Sequence, residues 1–321
     1  MATFPDAREI GVTTRDATMR AAVLEKPRTI RLARAPVPEP RDGEVLLRLQ
    51  GCGVCGSSVP VWEGRAWFDY PLAPGEPGHE PWGVVEAAAE GDEGLVGRRV
   101  AALAFRSLAE YDVARVDQLV VLPPELDGAV FPGEALGSAV NVFRRSGVQP
   151  GATVAVVGVG FLGALLVQLA VHAGATVLAF SRREYARAVA RRFGAETPSP
   201  GEVEDASCDV AIEAAGVQDT LDLAARLVRV RGRLVVAGYH QDGPRTVDVQ
   251  SWNWRGIDVV NAHERDPQVY VEGIRRAADL VAGGVLDPEP LYTPFPLEQA
   301  AHAFEAARTR PDGFVKAVVV A

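Results

Sequence analysis

The sequence of 321 residues has little cysteine and no excess of basic residues. Its three cysteines, Cys52, Cys55 and Cys208, allow at most one disulfide within the chain, which excludes a disulfide-stabilised scaffold. Lys and Arg number 33 and Asp and Glu number 42, so the formal net charge is −9. Because no basic field surrounds such a chain, we do not expect nucleic acid as a main partner.

One stretch lacks charge altogether, since residues 146–181 contain no Asp, Glu, Lys or Arg. Glycines divide this stretch into pieces too short to cross a bilayer, so we expect a buried strand–helix–strand unit and no membrane partner. Residues 1–18 contain no apolar segment typical of a secretory signal and are expected to form an N-terminal arm. These features favour a cytoplasmic protein. The 48% of apolar residues excludes disorder throughout, and the length of 321 residues predicts two domains.

The pattern of apolar residues changes along the chain. The first part is β-rich and irregular, whereas strands alternate with helices from Thr153 onward, which predicts an α/β fold with a doubly wound parallel sheet. The predicted strands are Arg20–Leu24, Glu44–Leu49, Gly83–Ala88, Arg99–Leu103, Gln118–Leu122, Thr153–Val157, Thr176–Phe180, Asp209–Glu213, Arg233–Ala237, Ile257–Asn261 and Val315–Val320. The predicted helices are Phe161–Ala173, Glu184–Phe193, Thr220–Val230, Val269–Ala282 and Leu297–Arg308.

A glycine motif of the form G-x-G-x-x-G joins the predicted strand Thr153–Val157 to the helix that follows it. In that context the motif is typical of a dinucleotide site. Gly158 permits the tight turn, Gly160 lets the backbone approach a pyrophosphate, and Gly163 lets the helix pack close to the strand. We expect the cofactor to contact Gly158, Gly160, Phe161, Leu162 and Gly163; the alternative is a glycine-rich turn without a cofactor.

The acid that holds the ribose hydroxyls of NAD is absent from the end of the next strand. This strand is followed by Ser181, Arg182 and Arg183, a hydroxyl and two guanidinium groups that suit a 2′-phosphate. We therefore expect NADP(H) in preference to NAD(H). The alternative is that these arginines, with Arg187 and Arg191 at helical spacing, form a solvated helix face, and this is our interpretation of Arg187 and Arg191.

Candidate metal ligands precede the nucleotide unit. Cys55 stands in G-V-C-G-S, and His79 and Glu80 stand in G-H-E-x-x-G-x-V. Cys52 and Cys55 lack the second C-x-x-C that a four-cysteine zinc site requires, and no thioredoxin-like helix pattern follows them. Taken alone, His79 is more typical of a hydrogen-bonded loop histidine than of a ligand.

Together with the glycine motif and the segment Pro296–Glu305, these motifs resemble the zinc-dependent medium-chain alcohol and polyol dehydrogenases from about Met19 onward. The resemblance is greatest to the sorbitol, threonine and glucose dehydrogenase-like branch that lacks the structural zinc lobe. It implies a β-rich, GroES-like catalytic domain over residues 1–136, including the arm 1–18. A Rossmann domain is then expected over 137–266, and a return segment that completes the catalytic domain over 267–321.

By this resemblance, Cys55, His79 and Glu134 match the protein ligands of a catalytic zinc ion. Glu80 matches a glutamate that binds zinc directly in polyol-type members and lies behind the metal in others. Ser57 matches the hydroxyl that relays the proton of the substrate.

Other positions either depart from the family or match it more loosely. Ser58 stands where an Asp usually supports the ligand histidine, and no cysteine cluster follows Glu86, so one zinc ion per chain and no structural zinc are expected. Gly238 and Tyr239 follow the fifth strand at the edge where such folds place cofactors. Lys316 resembles a late basic residue that contacts the pyrophosphate; a surface lysine is the alternative.

The implied function is hydride transfer between NADP and a secondary alcohol, namely a polyol, sugar or cyclitol. The alternatives are a zinc-free quinone or enone reductase of the same superfamily and a non-catalytic, NADPH-binding regulatory protein. The expected partners are a small-molecule alcohol or ketone and further copies of the chain in a homodimer or homotetramer. Trp62, Arg65 and Trp67 are candidates either for the substrate pocket or for core packing.

Overall fold

The structure is a computed structural model that describes residues 17–240 and 242–321. Residues 1–16, most of the predicted arm, and Gln241 lie outside the described residues. The strands are β1 (Thr18–Lys26), β2 (Thr29–Pro36), β3 (Glu44–Gly53), β4 (Glu80–Ala88), β5 (Arg99–Ala102), β6 (Tyr111–Arg115), β7 (Leu119–Val121), β8 (Thr153–Val157), β9 (Thr176–Phe180), β10 (Cys208–Glu213), β11 (Val228–Val236), β12 (Asp258–Asn261), β13 (Tyr292–Pro296) and β14 (Lys316–Val320). The helices are α1 (Ser58–Glu63), α2 (Gly133–Ser146), α3 (Phe161–His172), α4 (Glu184–Arg192), α5 (Gln218–Leu227), α6 (Val249–Arg255), α7 (Pro267–Ala282) and α8 (Ala300–Thr309).

The charge-free stretch forms the centre of a five-stranded parallel sheet, in the order β12-β11-β10-β8-β9. Successive side chains of β8 point to opposite faces of this sheet. Val154 and Val156 pack in the cluster that contains α3, whereas Ala155 and Val157 pack in the cluster that contains α5. Because helices cover both faces, the central strand is apolar throughout, and the predicted doubly wound α/β fold is confirmed.

The β-rich part forms a second sheet in the order β13-β14-β3-β4-β5-β7, with β6 paired to β3, while β1 and β2 form a separate antiparallel pair. The predicted return segment thus supplies β13 and β14 to this sheet. Strand β14 pairs antiparallel with β3, Val319 opposite Cys52, and the amide of Val54 donates to the carbonyl of Ala317 at 3.0 Å. The start of β14 therefore lies beside the loop that carries Cys55.

Helix α2 was not predicted from the sequence, because Gly133 and Gly137 lower its helix propensity. Its packing on α7 explains both the helix and the small residues: a Cβ atom at Gly137 would lie 2.6 Å from the backbone nitrogen of Ile274. The first turn of α2 contains Glu134. Strands β2, β6 and β13 and helices α1 and α6 were also missed. Within residues 17–240 and 242–321, no helix combines the length and apolarity needed to span a membrane.

Candidate active site

A cavity of about 1520 Å³ is lined both by the β-rich part and by the parallel sheet. Its lining includes Cys55 and His79 from the metal motif and Gly158 and Gly160 from the glycine motif. The two motifs, which are about a hundred residues apart in the sequence, therefore open into one cleft. We refer to the part of the cleft near Cys55 and His79 as the metal end, and to the part near Gly158 and Gly160 as the nucleotide end.

Cys55, His79 and Glu80 form a cluster at the metal end. The sulfur of Cys55, a ring nitrogen of His79 and a carboxylate oxygen of Glu80 all lie within 4.8 Å of one another. The pairing of β3 with β4 explains this proximity, because Gly53 lies opposite Glu80 and Cys55 follows directly after β3. A thiolate, an imidazole and a carboxylate are ligands that zinc accepts in catalytic sites.

The ring of His79 is oriented by the backbone. Its Nδ1 atom lies 3.1 Å from the carbonyl oxygen of Pro77, so Nδ1 must be the donor and Nε2 is left for a metal ion. The hydroxyl of Ser58 donates to the same carbonyl at 3.1 Å and lies 3.5 Å from Nδ1. The backbone thus takes the orienting role that the resemblance assigns to an Asp at position 58.

Glu80 and Lys316 form a buried ion pair, with 1% and 6% of their surfaces exposed. The ammonium of Lys316 donates to Oε1 of Glu80 at 2.7 Å and lies 5.1 Å from the centre of the Phe161 ring. Oε2 of Glu80 lies 2.5 Å from the same nitrogen, so the ammonium contacts both carboxylate oxygens. Lys316 thus fixes the orientation of a carboxylate that belongs to the Cys55, His79 and Glu80 cluster.

The position of Lys316 corrects one expectation. The alternative of a surface lysine is wrong, because β14 is buried and holds the side chain against Glu80. Lys316 lines the cleft, and the pyrophosphate contact implied by the resemblance stays a prediction. Burial lowers the pKa of Lys316, but the negative charges of Glu80, Cys55 and Glu134 outweigh that effect and raise it, so the ammonium stays charged.

Glu134, the remaining predicted ligand, lines the cleft but is not part of the 4.8 Å cluster. Its Oε1 atom instead accepts a hydrogen bond from the hydroxyl of Ser138 at 3.0 Å. Burial and the charge of Glu80 raise the pKa of Glu134. Burial lowers the pKa of His79, but Cys55, Glu134 and Glu80 together raise it to about 10. The metal end therefore holds an excess of acidic groups, which fits a divalent cation.

The glycine motif at the nucleotide end has the geometry of a phosphate cradle. Gly158 has a φ of 105°, and a Cβ atom at Gly163 would lie 2.0 Å from the carbonyl oxygen of Gly158. A Cβ atom at Gly160 would meet nothing within 4 Å, so space is open beside the first, unpaired amides of α3. Phe161 and Leu162 of this first turn also line the cleft.

Ser181, Arg182 and Arg183 line the same cleft after β9. The guanidinium of Arg183 donates to the carbonyl oxygen of Phe314 at 2.8 Å, which ties the loop after β9 to the return segment. No carboxylate follows β9 on this wall, since Glu184 is not among the lining residues. The geometry is compatible with a phosphate on the adenosine ribose.

Arg187 and Arg191 do not share one environment. Arg191 pairs with Glu184 at 2.6 Å and lies outside the cleft lining, as a solvated helix face requires. Arg187 also pairs with Glu184, but it lines the cleft and donates to the carbonyl oxygen of Ser181 at 3.0 Å. The interpretation of Arg187 as part of a purely solvated face is therefore wrong, because the turn after β9 brings it back over Ser181.

Two family models match the chain: the alcohol dehydrogenase GroES-like domain over residues 41–124 and the zinc-binding dehydrogenase over residues 162–279. Together they cover more than half of the chain. The chain belongs to the zinc-type medium-chain dehydrogenases/reductases, in the alcohol and polyol branch.

Relatives of this dehydrogenase agree with that assignment. A sorbitol dehydrogenase of Gallus gallus is 29% identical over 90% of this chain and 93% of its own. An L-threonine 3-dehydrogenase of Bacillus subtilis (strain 168) is 26% identical over 88% of this chain and 93% of its own. A structure described as a zinc-binding dehydrogenase from Sinorhizobium meliloti 1021, bound to NADP, superposes with a TM-score of 0.83 at 26% identity. That structural match covers 95% of this chain and 100% of the other.

The dehydrogenase also has a buried polar network that the sequence did not single out. The carboxylate of Glu213 is fully buried, accepts hydrogen bonds from two backbone amides and lies 3.0 Å from Nε2 of His240. The guanidinium of Arg245 donates to Nδ1 of His240 at 2.8 Å, so Nε2 carries the proton and donates to Glu213. The network holds the loops that place Gly238 and Tyr239 in the cleft lining. The sequence signal for this network was Glu213, an acidic residue at the end of the apolar strand β10.

The aromatic residues in the cleft lining differ from the candidates named from the sequence. Trp62 is core, with its ring 6.1 Å from that of Phe304, and the cleft lining does not include Trp62, Arg65 or Trp67. Phe105 and Tyr270 line the cleft instead. The hydroxyl of Tyr270 donates to a backbone carbonyl at 3.2 Å, and burial and the charge of Glu134 raise its pKa to about 12. Neither residue belongs to a motif, so only the fold identifies them.

Proposed function

We propose that this dehydrogenase transfers a hydride between a secondary alcohol and NADP(H) and uses one catalytic zinc ion and no structural zinc. The observation that carries the proposal is that the cluster of Cys55, His79 and Glu80 opens into the same cleft as the glycine motif. A polyol, sugar or cyclitol is the proposed substrate class, which the sorbitol dehydrogenase relatives support. A zinc-free reductase would have no need of such a ligand cluster.

At the metal end, Cys55, His79 and Glu80 would hold the zinc ion, with Glu134 as a further carboxylate within the cleft. When bound, zinc supplies Lewis acidity, which lowers the pKa of a hydroxyl and polarises a carbonyl. The hydroxyl of Ser57 lies beside the cluster, donating to the sulfur of Cys55 at 3.1 Å. After rotation about its C–O bond, this hydroxyl accepts the substrate proton and passes a proton to water in the cleft.

At the nucleotide end, the unpaired amides at the start of α3 bind the pyrophosphate, and Arg182 and Arg183 bind the 2′-phosphate. When bound, NADP(H) would supply or accept the hydride through its nicotinamide ring. The walls of the cleft hold the substrate carbon against the ring and exclude water from the transfer. The NADP bound in the structurally similar dehydrogenase of Sinorhizobium meliloti supports this choice of cofactor.

The test combines zinc analysis of the purified protein with a panel of polyols, sugars and ketones, followed at the nicotinamide absorbance. We expect one zinc ion per chain, loss of activity on chelation, and NADPH affinity at least about tenfold above NADH affinity. Full activity without metal would favour the quinone reductase alternative, and two zinc ions per chain would contradict a single catalytic site. Assembly as a homodimer or homotetramer and a cytoplasmic location stay predictions.

A further inference from the structure

The return segment brings another arginine to the nucleotide end. Arg310 directly follows α8 and lines the same cleft as Arg182 and Arg183. Its φ of 48° lies in the left-handed region, which non-glycine residues rarely adopt. Its amide donates to the carbonyl oxygen of Ala306 at 2.8 Å, so the end of the helix fixes where the side chain leaves the backbone.

The guanidinium of Arg310 forms no hydrogen bond or ion pair with the residues that the structure describes. Of the other arginines near this wall, Arg183 is engaged by the carbonyl of Phe314 and Arg187 by Glu184. Arg182, like Arg310, lines the cleft and forms no hydrogen bond or ion pair within the described part of the chain. Arg310 is exposed and lines the cleft, so its guanidinium donors are open to an anionic group of a bound ligand.

Arg310 and Arg183 also repel each other. Burial and then the charge of Arg310 lower the pKa of Arg183, which places the two guanidinium groups within electrostatic reach. Asp312 offsets part of this repulsion at Arg183, but it does not line the cleft. Because the acid that would hold the ribose of NAD is missing here, the space between the arginines fits an anion supplied by the cofactor.

We propose that Arg310 binds the 2′-phosphate of NADPH together with Arg182 and Arg183. The inference rests on the proposed NADP(H) function and adds that the return segment takes part in the choice of cofactor. The 2′-phosphate is favoured over the pyrophosphate because Arg310 lies near the loop after β9, whereas the pyrophosphate is expected at Gly160. A phosphate monoester offers about two negative charges and three acceptor oxygens, enough for several guanidinium groups.

The experiment compares Arg310→Gln with Arg308→Gln, a matched variant two residues earlier that pairs with Glu305 and lies outside the cleft lining. Calorimetry on the full chain measures the affinity for NADPH, NADH, adenosine 2′,5′-bisphosphate and 5′-AMP. For Arg310→Gln we expect about tenfold weaker binding of the two ligands with a 2′-phosphate. Binding of NADH and 5′-AMP should change by less than about twofold, and Arg308→Gln should leave all four affinities unchanged.

Two results with Arg310→Gln would overturn the inference: unchanged binding of NADPH, or an equal loss for NADH. If that variant does not fold, Arg310→Gly repeats the test, because glycine accepts a φ of 48° without strain. The wild-type protein separates the two hypotheses. A wild-type preference for NADH overturns the proposed cofactor and the inference together, whereas an NADPH preference that survives in Arg310→Gln overturns the inference alone.

Discussion

The two ends of the cleft carry opposite charge. At the metal end a thiol and two carboxyl groups, those of Glu80 and Glu134, surround the single ammonium of Lys316. At the nucleotide end Arg182, Arg183 and Arg310 line the cleft, and none of them forms an ion pair with a carboxylate in the described part of the chain. A bound group of opposite charge would neutralise each excess. The charge of each end therefore indicates the charge of its ligand: a cation at the metal end and an anion at the nucleotide end.

The largest expected effect comes from removing a ligand at the metal end alone. In Cys55→Ala we expect zinc content to fall to near zero and turnover to fall about 10²–10³-fold, because several kcal/mol of Lewis-acid stabilisation are lost. The affinity for NADPH should stay within about twofold, since the nucleotide end is untouched. Zinc analysis, steady-state kinetics and calorimetry measure these quantities.

The matched control for this variant is Cys208→Ala, which removes a fully buried cysteine from β10, outside the cleft lining. It should keep one zinc ion per chain even if it unfolds at a lower temperature. Loss of NADPH binding in Cys55→Ala as large as the loss of zinc would show that the two ends do not act separately.

A smaller effect is expected from reversing the charge at the nucleotide end. Ser181→Asp places a carboxylate where the 2′-phosphate is proposed to bind, and it should weaken NADPH binding by about 10–30-fold, or roughly 1.5–2 kcal/mol. Binding of NADH should be unchanged or tighter, because the new acid can accept the ribose hydroxyls. Ser207→Asp, on an exposed residue outside the cleft lining, controls for the added charge. Equal weakening of both cofactors would contradict the assignment.

The smallest effect concerns the acid excess at the metal end. The pKa of Glu134 is raised in the folded protein. At pH values above the pKa of this carboxyl group in the unfolded chain, the folded state therefore binds more protons than the unfolded state. The stability of the fold consequently falls as pH rises. In metal-free protein, Glu134→Gln should therefore be more stable than wild type by on the order of 1 kcal/mol at pH 7. The difference should vanish below about pH 4, where the carboxyl is protonated in both states.

Urea unfolding after chelation measures this difference, and zinc should reduce or reverse it, because the ion supplies the missing positive charge. A variant of the same type on an exposed acid, Glu272→Gln, should show no such dependence on zinc. If metal-free Glu134→Gln were less stable than wild type at pH 7, the excess of acidic groups would not be the controlling feature of the metal end.

The comparison also explains which parts could be predicted from the sequence. The nucleotide end is built from elements that are consecutive in the sequence, namely β8, the glycine motif and α3. The spacing of apolar residues and glycines was therefore enough to predict them. The predicted fold class is confirmed for the same reason. The metal end combines β3, β4, α2 and β14, which are far apart in the sequence. The pattern of apolar residues alone could not predict which of these elements contact one another.

Particular residues illustrate this limit. Helix α2 was missed because Gly137 disfavours a helix by itself, and only the close approach of α7 requires it. The ion pair between Lys316 and Glu80 joins residues 236 positions apart, a distance at which spacing carries no information. His79 was identified by its motif, but the carbonyl of Pro77 that orients it is a backbone atom with no signature in the sequence.

The pairing of β14 with β3 links folding order to metal chemistry. The three clustered groups arise within one short stretch, from Cys55 to Glu80, whereas the ammonium that neutralises Glu80 arrives with a strand from the far end of the described chain. Contacts of such long sequence separation carry a large cost in loop-closure entropy. We therefore expect the electrostatic environment of the proposed metal site to be complete only when β14 has joined the sheet.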